Sequence, residues 1–327
     1  MTESMRAWEQ TEYGPASGVR LAERPIPGPG SGEVLLRVRA TALNAGDVRI
    51  MLGDPLLVRP VFGIRRPRDP VRGMDVAGTV IAKGADVDGV DIGDEVVVEL
   101  PGGGGLAEYA VAPAARLAQR PQNVSPTDAA TLPIAAGTAW QALEAAGTDD
   151  GHRVLILGAS GGVGTFAVQL AALRGAQVDA TCSTRNRAVI EGLGATAIDR
   201  GIPPAWLPAD TYDAVIEIAS GAPLRDLRRL VHEGGSVVLV GGDGGRVLGP
   251  VPRMLRAALL SIGSRRRIRS LAAKAEPEIL ARLLELVADG RVNPLIEREY
   301  AFEDAGDAIA HVAGGHTVGK VVVRVSE

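Results

Sequence analysis

The segment that most constrains the fold is a glycine-rich turn at residues 154–164, with the sequence VLILGASGGVG. An apolar strand is predicted before it at 153–157. A helix is predicted after it at 163–174, because apolar residues recur on one face until Gly175. Small residues at a strand–turn–helix junction let the backbone approach a pyrophosphate, whose charge is favoured by free N–H groups at the helix start.

Three small residues in this turn have the spacing of a dinucleotide-binding fingerprint. Ala159, Gly161 and Gly164 match it, with alanine in place of the first glycine. A tight turn packed for its own sake is the alternative interpretation. The predicted dinucleotide-binding residues are Ala159, Ser160, Gly161, Gly162, Val163 and Gly164.

The pattern of predicted secondary structure differs between the ends and the middle of the chain. Residues 1–112 read as short strands separated by Gly, Pro and Asp, and the last strand-like run, at 320–325, resembles them. From His152 strands alternate with helices, which favours a parallel sheet covered by helices. We therefore predict an α/β protein in which a Rossmann parallel-sheet domain, at 123–273, is inserted in a β-rich domain formed by 1–122 and 274–327.

The end of the second strand of this parallel sheet indicates which coenzyme binds. Ser183, Thr184 and Arg185 follow that strand, whereas Asp179 falls early within it. An acidic residue at the strand tip is typical of NAD sites, and small hydroxyls with an arginine suit the 2′-phosphate of NADP. The pattern predicts NADPH, with Ser183, Thr184 and Arg185 as binding residues. A solvated loop arginine is the alternative for Arg185.

Composition excludes several other classes of protein. The net charge is −4 and aromatic residues make up 3%, which disfavours nucleic acid as a partner. No apolar run is long enough to span a membrane, and the N-terminus lacks the pattern of a signal peptide. The single cysteine, Cys182, fits a reducing compartment. These features predict a cytoplasmic protein with neither a membrane nor a nucleic-acid partner.

Several motifs, in the same order along the chain, carry a family resemblance. They are LNAGDVRIMLGD, RGMDVAGTVIAKGADVDGVDIGDEV, GGLAEYAVAP, DAATLPIAAGTAWQAL, GASGGVGTFAVQLA and GKVVVRV. Together they resemble the medium-chain dehydrogenase/reductase superfamily, in its zinc-free quinone oxidoreductase (zeta-crystallin-like) branch. The resemblance implies a GroES-like substrate domain built from both termini. It also implies NADPH-dependent reduction of a small quinone, enone or similar activated alkene, and a homodimer.

The positions of the superfamily's zinc ligands hold other residues in this chain. The resemblance places a catalytic cysteine at Asn44, a His-Glu pair at Met74 and Asp75, and a second cysteine near Ile134 or Ala135. Zinc takes its protein ligands from Cys, His, Asp and Glu, so this set predicts no catalytic metal. A four-cysteine structural zinc site is impossible with one cysteine.

The resemblance also assigns roles in catalysis and coenzyme binding. It implies that Asn44 and Thr138 act at the nicotinamide ribose or the substrate, and that Lys320 lies near the coenzyme. Gly241 and Gly242 would lie beside the carboxamide. Each of these roles has a simpler alternative: Asn44 could form a turn, Gly241 and Gly242 could allow tight packing, and Lys320 could be a surface residue at the start of its strand. Asp47 matches a family aspartate, for which a structural role is the alternative to catalysis. The tyrosine that many relatives have after the Asn-x-x-Asp motif is missing.

Two competing functions remain open from the sequence. Arginines cluster at 59–72 and at 265–269, which would suit an enoyl-thioester or polyketide-tailoring reductase with a phosphate-bearing substrate. A solvated surface is the simpler interpretation of both clusters. A non-catalytic NADPH-binding protein is the third hypothesis.

Overall fold

The computed structural model describes residues 3–241 and 244–326, which form two compact units. Unit 1 contains the chain up to Gly137 and again from Ala275, and unit 2 is Thr138–Lys274. Both ends of the chain therefore belong to one unit, and the middle of the chain forms the other.

The first part of unit 1 is rich in strands. They are β1 (Ser4–Glu9), β2 (Arg20–Pro25), β3 (Glu33–Leu43), β4 (Asp75–Lys83), β5 (Glu95–Glu99), β6 (Tyr109–Pro113) and β7 (Ala118–Gln119). Its helices are α1 (Ala45–Leu52), α2 (Arg59–Phe62) and α3 (Pro126–Ala130), with a π-helical turn at Leu132–Ala136.

Strands and helices alternate through the middle of the chain. In order they are α4 (Gly137–Ala146), β8 (Arg153–Leu157), α5 (Gly162–Leu173), β9 (Gln177–Cys182), α6 (Arg187–Gly192), β10 (Thr196–Asp199), β11 (Tyr212–Glu217), α7 (Leu224–Leu230), β12 (Val231–Leu239), α8 (Val251–Ser261) and β13 (Arg267–Ser270). The chain then returns to unit 1 with α9 (Pro277–Ala288), β14 (Ile296–Ala301), α10 (Ala305–Ala313) and β15 (Lys320–Arg324).

The sheet of unit 2 is parallel throughout, in the order β10-β9-β8-β11-β12-β13. This is the strand order of a Rossmann domain, in which the order reverses between the first and fourth strands and ligands bind at their carboxyl ends. Apolar residues are buried on one face of the sheet, such as Leu155 and Val215, and on the other, such as Ile156 and Ile216, which explains why the strands read as continuous apolar runs. The predicted fold class is confirmed.

The sheet of unit 1 joins the two ends of the chain. Its order is β14-β15-β3-β4-β5-β7, with β6 also paired to β3. The last strand, β15, runs antiparallel to β3, with Val321 opposite Leu43. This pairing places Lys320, the first residue of β15, next to the end of β3, where α1 begins.

The division between the units differs from the boundary at residue 122 that the sequence predicted. Helix α3, capped by Ser125, whose hydroxyl accepts a hydrogen bond from the Asp128 N–H, packs on β3 and β4 of unit 1. Between α3 and α4 the alanine-rich stretch contains the π-helical turn, so it does not form one continuous α-helix. Pro133 lies in that turn and has no N–H for helical hydrogen bonding.

Candidate functional site

The glycine-rich turn lies at the carboxyl end of β8 and leads into α5. Gly158 has φ +91°, a conformation that favours glycine, and its N–H donates to the Thr181 hydroxyl. The N-cap of α5 is Gly161, which has no side chain to cap the helix. The first N–H groups of α5 are therefore without a side-chain acceptor, as a bound anion requires.

Two positions of this turn hold glycine for different physical reasons. A Cβ on Gly164 would lie 2.3 Å from the carbonyl oxygen of Gly158, so the fold itself requires glycine there. A Cβ on Gly161 would lie 3.8 Å from the nearest atom that the described residues offer, the Gly158 carbonyl oxygen, and the φ of Gly161, −78°, suits any residue. The space beside Gly161 is open, as expected where a ligand approaches the backbone. The predicted dinucleotide residues 159–164 thus form a cradle that fits a pyrophosphate.

The tip of β9 carries a hydroxyl that lacks a partner. Ser183 Oγ is buried without a hydrogen bond among the described residues, and such a group costs free energy unless a ligand satisfies it. The Thr184 hydroxyl donates to Asp199 Oδ2 at 2.9 Å, and Arg185 is exposed. These three residues fit an adenosine ribose carrying a phosphate.

Asp179 belongs to the sheet instead. Its Oδ2 accepts from Arg153 Nη2 at 2.8 Å and from the Tyr212 hydroxyl at 2.9 Å. Burial and this hydrogen bond raise the pKa of Tyr212 above its ordinary value. Asp179 therefore joins β9 to β8 and β11 within unit 2.

The remaining predicted residues of unit 2 are less informative. A Cβ on Gly241 would lie 2.0 Å from the Ile218 carbonyl oxygen, so close backbone packing is enough to explain this glycine. Gly242 lies outside the described residues. Thr138, at the start of α4, is half-buried.

In unit 1 the predicted residues Asn44 and Lys320 meet in a buried polar network. Lys320 Nζ donates to Asn44 Oδ1 at 2.5 Å and to the Leu43 carbonyl oxygen at 3.1 Å. Asn44 Nδ2 donates to Asp75 Oδ2 at 2.9 Å, and the ammonium lies 3.6 Å from the same oxygen. Lys320 is 3% exposed, which excludes the alternative of a surface lysine.

Asp47 fixes the backbone around this network. Its two carboxylate oxygens accept from the N–H groups of Asn44 and Gly73, each at 2.9 Å. The first of these bonds belongs to the capping box of α1. Asp47 is thus a structural residue here, which was one of its two sequence interpretations.

Burial shifts the protonation of the two central charges in opposite directions. Burial raises the pKa of Asp75 to about 7, opposed by the nearby Lys320 ammonium. Burial lowers the pKa of Lys320, opposed by the charges of Asp75 and Asp47. Each charge therefore depends on the other to remain ionised in the interior.

Asp75 is the member of this network whose role the sequence did not predict. The sequence did contain an indication of this role, because an acidic residue that begins the apolar strand β4 needs a polar or charged partner once it is buried. The partner, Lys320, is 245 residues further along the chain by their numbers. Only the pairing of β15 with β3 brings the two together.

The donor set at this place does not fit zinc. Asn44, Asp75 and Ile134, three positions where the resemblance would put metal ligands, do converge: the Ile134 N–H donates to Asp75 Oδ1 at 3.2 Å. Their groups are an amide, one carboxylate and a backbone N–H, with an ammonium among them. Within residues 3–241 and 244–326, no group of three or more His, Cys, Asp or Glu side chains could hold a metal ion.

Some arginines of the two clusters are held by the fold or by surface ion pairs, whereas Arg65, Arg66 and Arg68 of the first cluster are exposed. Arg59 lies over the Tyr13 ring and donates to the Gly53 carbonyl, and Arg72 is buried and donates to the Gly102 carbonyl. In the second cluster Arg265 pairs with Glu233 and Arg266 with Asp210. No polyphosphate site is assembled by these contacts.

Two family profiles match the chain. Residues 30–122 match the family described as alcohol dehydrogenase GroES-like domain, and residues 193–323 match the one described as zinc-binding dehydrogenase. The second description contrasts with the donor set found around Asn44.

Named relatives match almost the whole chain. The chloroplast envelope quinone oxidoreductase homolog of Arabidopsis thaliana is 36% identical over 98% of both chains. The 2-methylene-furan-3-one reductase of Solanum lycopersicum is 32% identical over 98% of this chain and 79% of its own length. The solved quinone oxidoreductase of Coxiella burnetii superposes with a TM-score of 0.88 at 29% identity, over 99% of this chain and 100% of its own.

The predicted cytoplasmic location is wrong on these comparisons. Four relatives are named as chloroplast or chloroplast envelope proteins. Cysteine content and the composition of the N-terminus are weak guides to compartment, because neither is fixed by the fold or by the reaction. Among the described residues, none of the helices has the length and apolar character needed to cross a bilayer.

Proposed function

The chain belongs to the medium-chain dehydrogenase/reductase superfamily, among its quinone oxidoreductases, and is an oxidoreductase that uses a nicotinamide coenzyme; from this premise we propose that it reduces quinones or enones with NADPH and without a metal. The observation that carries the proposal is the buried network of Asn44, Asp75 and Lys320. It puts an ammonium where an alcohol dehydrogenase needs zinc to stabilise an alkoxide.

An acceptor that delocalises its own negative charge does not need that metal. Bound NADPH would supply a hydride to a carbon of the acceptor, and the displaced π electron pair would leave negative charge on the acceptor oxygen until a proton from water neutralises it. The chain's contribution is to position the reactants and to offer a hydrogen-bond donor to that oxygen. Quinones and enones are both acceptors of this kind, because each delocalises the negative charge that the hydride brings.

Preference for NADPH is supported by the tip of β9. Ser183 Oγ has no hydrogen-bond partner among the described residues, Arg185 is exposed, and β9 ends at Cys182 rather than at an acid. The acid at the end of neighbouring β10, Asp199, accepts the hydrogen bond of the Thr184 hydroxyl. A 2′-phosphate would satisfy the hydroxyl and pair with the guanidinium. The cradle at Gly161 and the N-terminus of α5 would hold the pyrophosphate.

The test is NADPH oxidation against a panel of benzoquinones, alkenals, enones and an enoyl-CoA, combined with elemental analysis of the purified protein. We expect turnover with quinones or enones, no stoichiometric zinc, and no loss of activity after treatment with a chelator. Bound zinc required for turnover would contradict the metal-free mechanism. Much faster saturation of enoyl-CoA would favour the thioester reductase, and tight NADPH binding without turnover would favour the non-catalytic protein.

A further inference from the structure

The position of Lys320 decides how Asn44 is oriented. An asparagine side chain can present either its oxygen or its NH₂ group to a neighbour. Only the oxygen can face an ammonium, because Lys320 Nζ is a donor alone, and the 2.5 Å contact fixes it there. The NH₂ group is thereby turned toward Asp75.

The Lys320 side chain is enclosed within unit 1. Its ammonium donates two hydrogen bonds, to the Leu43 carbonyl and to Asn44 Oδ1, and forms an ion pair with Asp75 Oδ2 at 3.6 Å. Because Lys320 is only 3% exposed, we infer that its role in the reaction passes through another residue. The resemblance implied only that this lysine lies near the coenzyme.

Asn44, by contrast, has one weakly used hydrogen. The first hydrogen of Nδ2 goes to Asp75 at 2.9 Å, and the second reaches only the Ala42 carbonyl oxygen at 3.4 Å. A distance of 3.4 Å lies at the weak end of N–H···O bonding. This hydrogen can be transferred to a better acceptor at little cost. Donation from the ammonium to the amide oxygen also polarises the NH₂ group into a stronger donor.

The charges around the amide are balanced, which allows them to persist in the interior. Asp75 and Lys320 form the central pair, and Asp47 carries a further buried carboxylate near the Arg72 guanidinium. A lone buried ammonium is strongly disfavoured because it loses its hydration. The network therefore keeps a cation beside Asn44 without a metal.

We propose that Lys320 is a positioning residue that takes over the place of the metal: with Asp75, it holds and polarises the Asn44 amide so that its second N–H donates to the acceptor oxygen on which negative charge develops. This inference rests on the proposed function and names the donor that the proposed reaction needs. Asn44 is the catalytic residue in this scheme, and Lys320 acts only through it.

The test compares a charge-free network with the loss of the amide itself. Lys320→Met alone would strand the Asp75 charge, so the variant is Lys320→Met combined with Asp75→Asn. We expect kcat to fall about 10–100-fold in this double variant and about 100-fold in Asn44→Ala. The Kd of NADPH stays unchanged in both. Because the residues act in series, the triple variant should be no worse than Asn44→Ala.

Two further variants separate positioning from general damage. Lys320→Gln in the Asp75→Asn background keeps a donor for Asn44 Oδ1 and should recover part of kcat relative to Lys320→Met. Arg324→Met removes an exposed cation from the same strand, β15, and should leave kcat unchanged. Weaker NADPH binding with intact kcat in the double variant would overturn the proposal in favour of coenzyme binding. Losses that multiply in the triple variant, or no recovery with glutamine, would overturn it as well.

A binding measurement keeps this test independent of turnover. The probe is p-nitrophenolate, whose oxygen mimics the reduced acceptor, added to the protein loaded with NADP⁺. We expect the wild type to bind it at least about tenfold more tightly than Asn44→Ala and the double variant. If the wild type reduces none of the panel but shows this pattern, the proposed function fails while the positioning role stands. Equal binding in all three proteins would overturn the positioning role even if turnover is observed.

Discussion

A Cβ on Gly164 would lie 2.3 Å from the carbonyl oxygen of Gly158, whereas Gly161, three residues earlier, has open space beside it. This contrast predicts different outcomes for two alanine substitutions. Gly164→Ala should destabilise unit 2, and Gly161→Ala should fold normally but weaken coenzyme binding by about tenfold or more, equivalent to about 1.4 kcal/mol. Thermal unfolding and calorimetric titration with NADPH would measure the two effects.

The control for the glycine pair is Gly192→Ala in α6, where a Cβ would meet nothing within 4 Å. That variant should bind NADPH as the wild type does, with stability unchanged or slightly raised because alanine favours helix. Unchanged coenzyme affinity in Gly161→Ala would contradict the pyrophosphate cradle.

Removal of the exposed guanidinium at the tip of β9 tests the choice of coenzyme. Arg185→Ala should weaken NADPH binding about ten- to a hundredfold and leave NADH nearly unchanged, the loss expected for one charge-assisted contact to the 2′-phosphate. Fluorescence titration with both coenzymes measures the ratio. Arg265→Ala, which removes another exposed arginine of unit 2, should change neither affinity. Equal losses for NADPH and NADH would mean that Arg185 does not recognise the phosphate.

Local features of the chain could be predicted from the sequence with good accuracy. The strand at Arg153–Leu157 was predicted with the bounds it has, and α5 differs from its prediction by one residue at each end. Both depend on short-range periodicity and on the glycines that end the elements. The alanine-rich stretch after Ser125 favours helix by its composition, yet it is interrupted by the π-helical turn that contains Pro133, because proline has no N–H for helical hydrogen bonding.

The candidate site could be predicted only in part. The residues 159–164 lie in one local turn, so their spacing carried the information. The network of unit 1 depends on a strand pairing that joins Lys320 to Asn44 across 276 residues. Without the register of β15 on β3, the sequence allows Lys320 to be a surface residue and shows Asp75 only as a residue at the position of a zinc ligand. Sequence periodicity indicates which residues are buried but not which buried charges meet.

The exposed apolar face of α8 bears on the predicted homodimer, and we propose a second copy of the chain as the partner that covers it. Leu255, Leu259 and Ile262 are 62%, 67% and 77% exposed, and β13 is the edge strand of its sheet. An apolar stripe beside an open sheet edge is typical of an interface. Leu255→Glu combined with Leu259→Glu should convert a dimer to a monomer in light scattering.

Leu57→Glu, at an exposed leucine of unit 1, serves as the control for that substitution and should leave the mass unchanged. A wild type that is monomeric at tens of micromolar, or a dimer that survives both glutamates, would contradict the interface.

The ring of His232 links two acceptors in unit 2 and should make stability depend on pH. Its Nδ1 lies 2.8 Å from the Glu233 carbonyl oxygen and its Nε2 2.8 Å from Asp213 Oδ1, so both bonds are complete only when the ring is doubly protonated. The bond to Glu233, followed by that to Asp213, raises the pKa of His232 above 6.5. The native state then holds a proton that the unfolded chain releases sooner. The stabilisation is fully present below pH 6.5 and is lost as pH rises through the folded pKa.

Urea unfolding of the wild type and of His232→Asn between pH 5.5 and about 8.5 measures this contribution. The wild type should be more stable than the variant at the acid end, by no more than about 1 kcal/mol because the pair is partly exposed, and the difference should shrink at the alkaline end, where the neutral ring keeps only one of the two bonds. Asp213→Asn should reduce the same pH dependence, since one of the two acceptors loses its charge. A difference between wild type and variant that stays constant across the range would mean that the ring is not held as an imidazolium by Glu233 and Asp213.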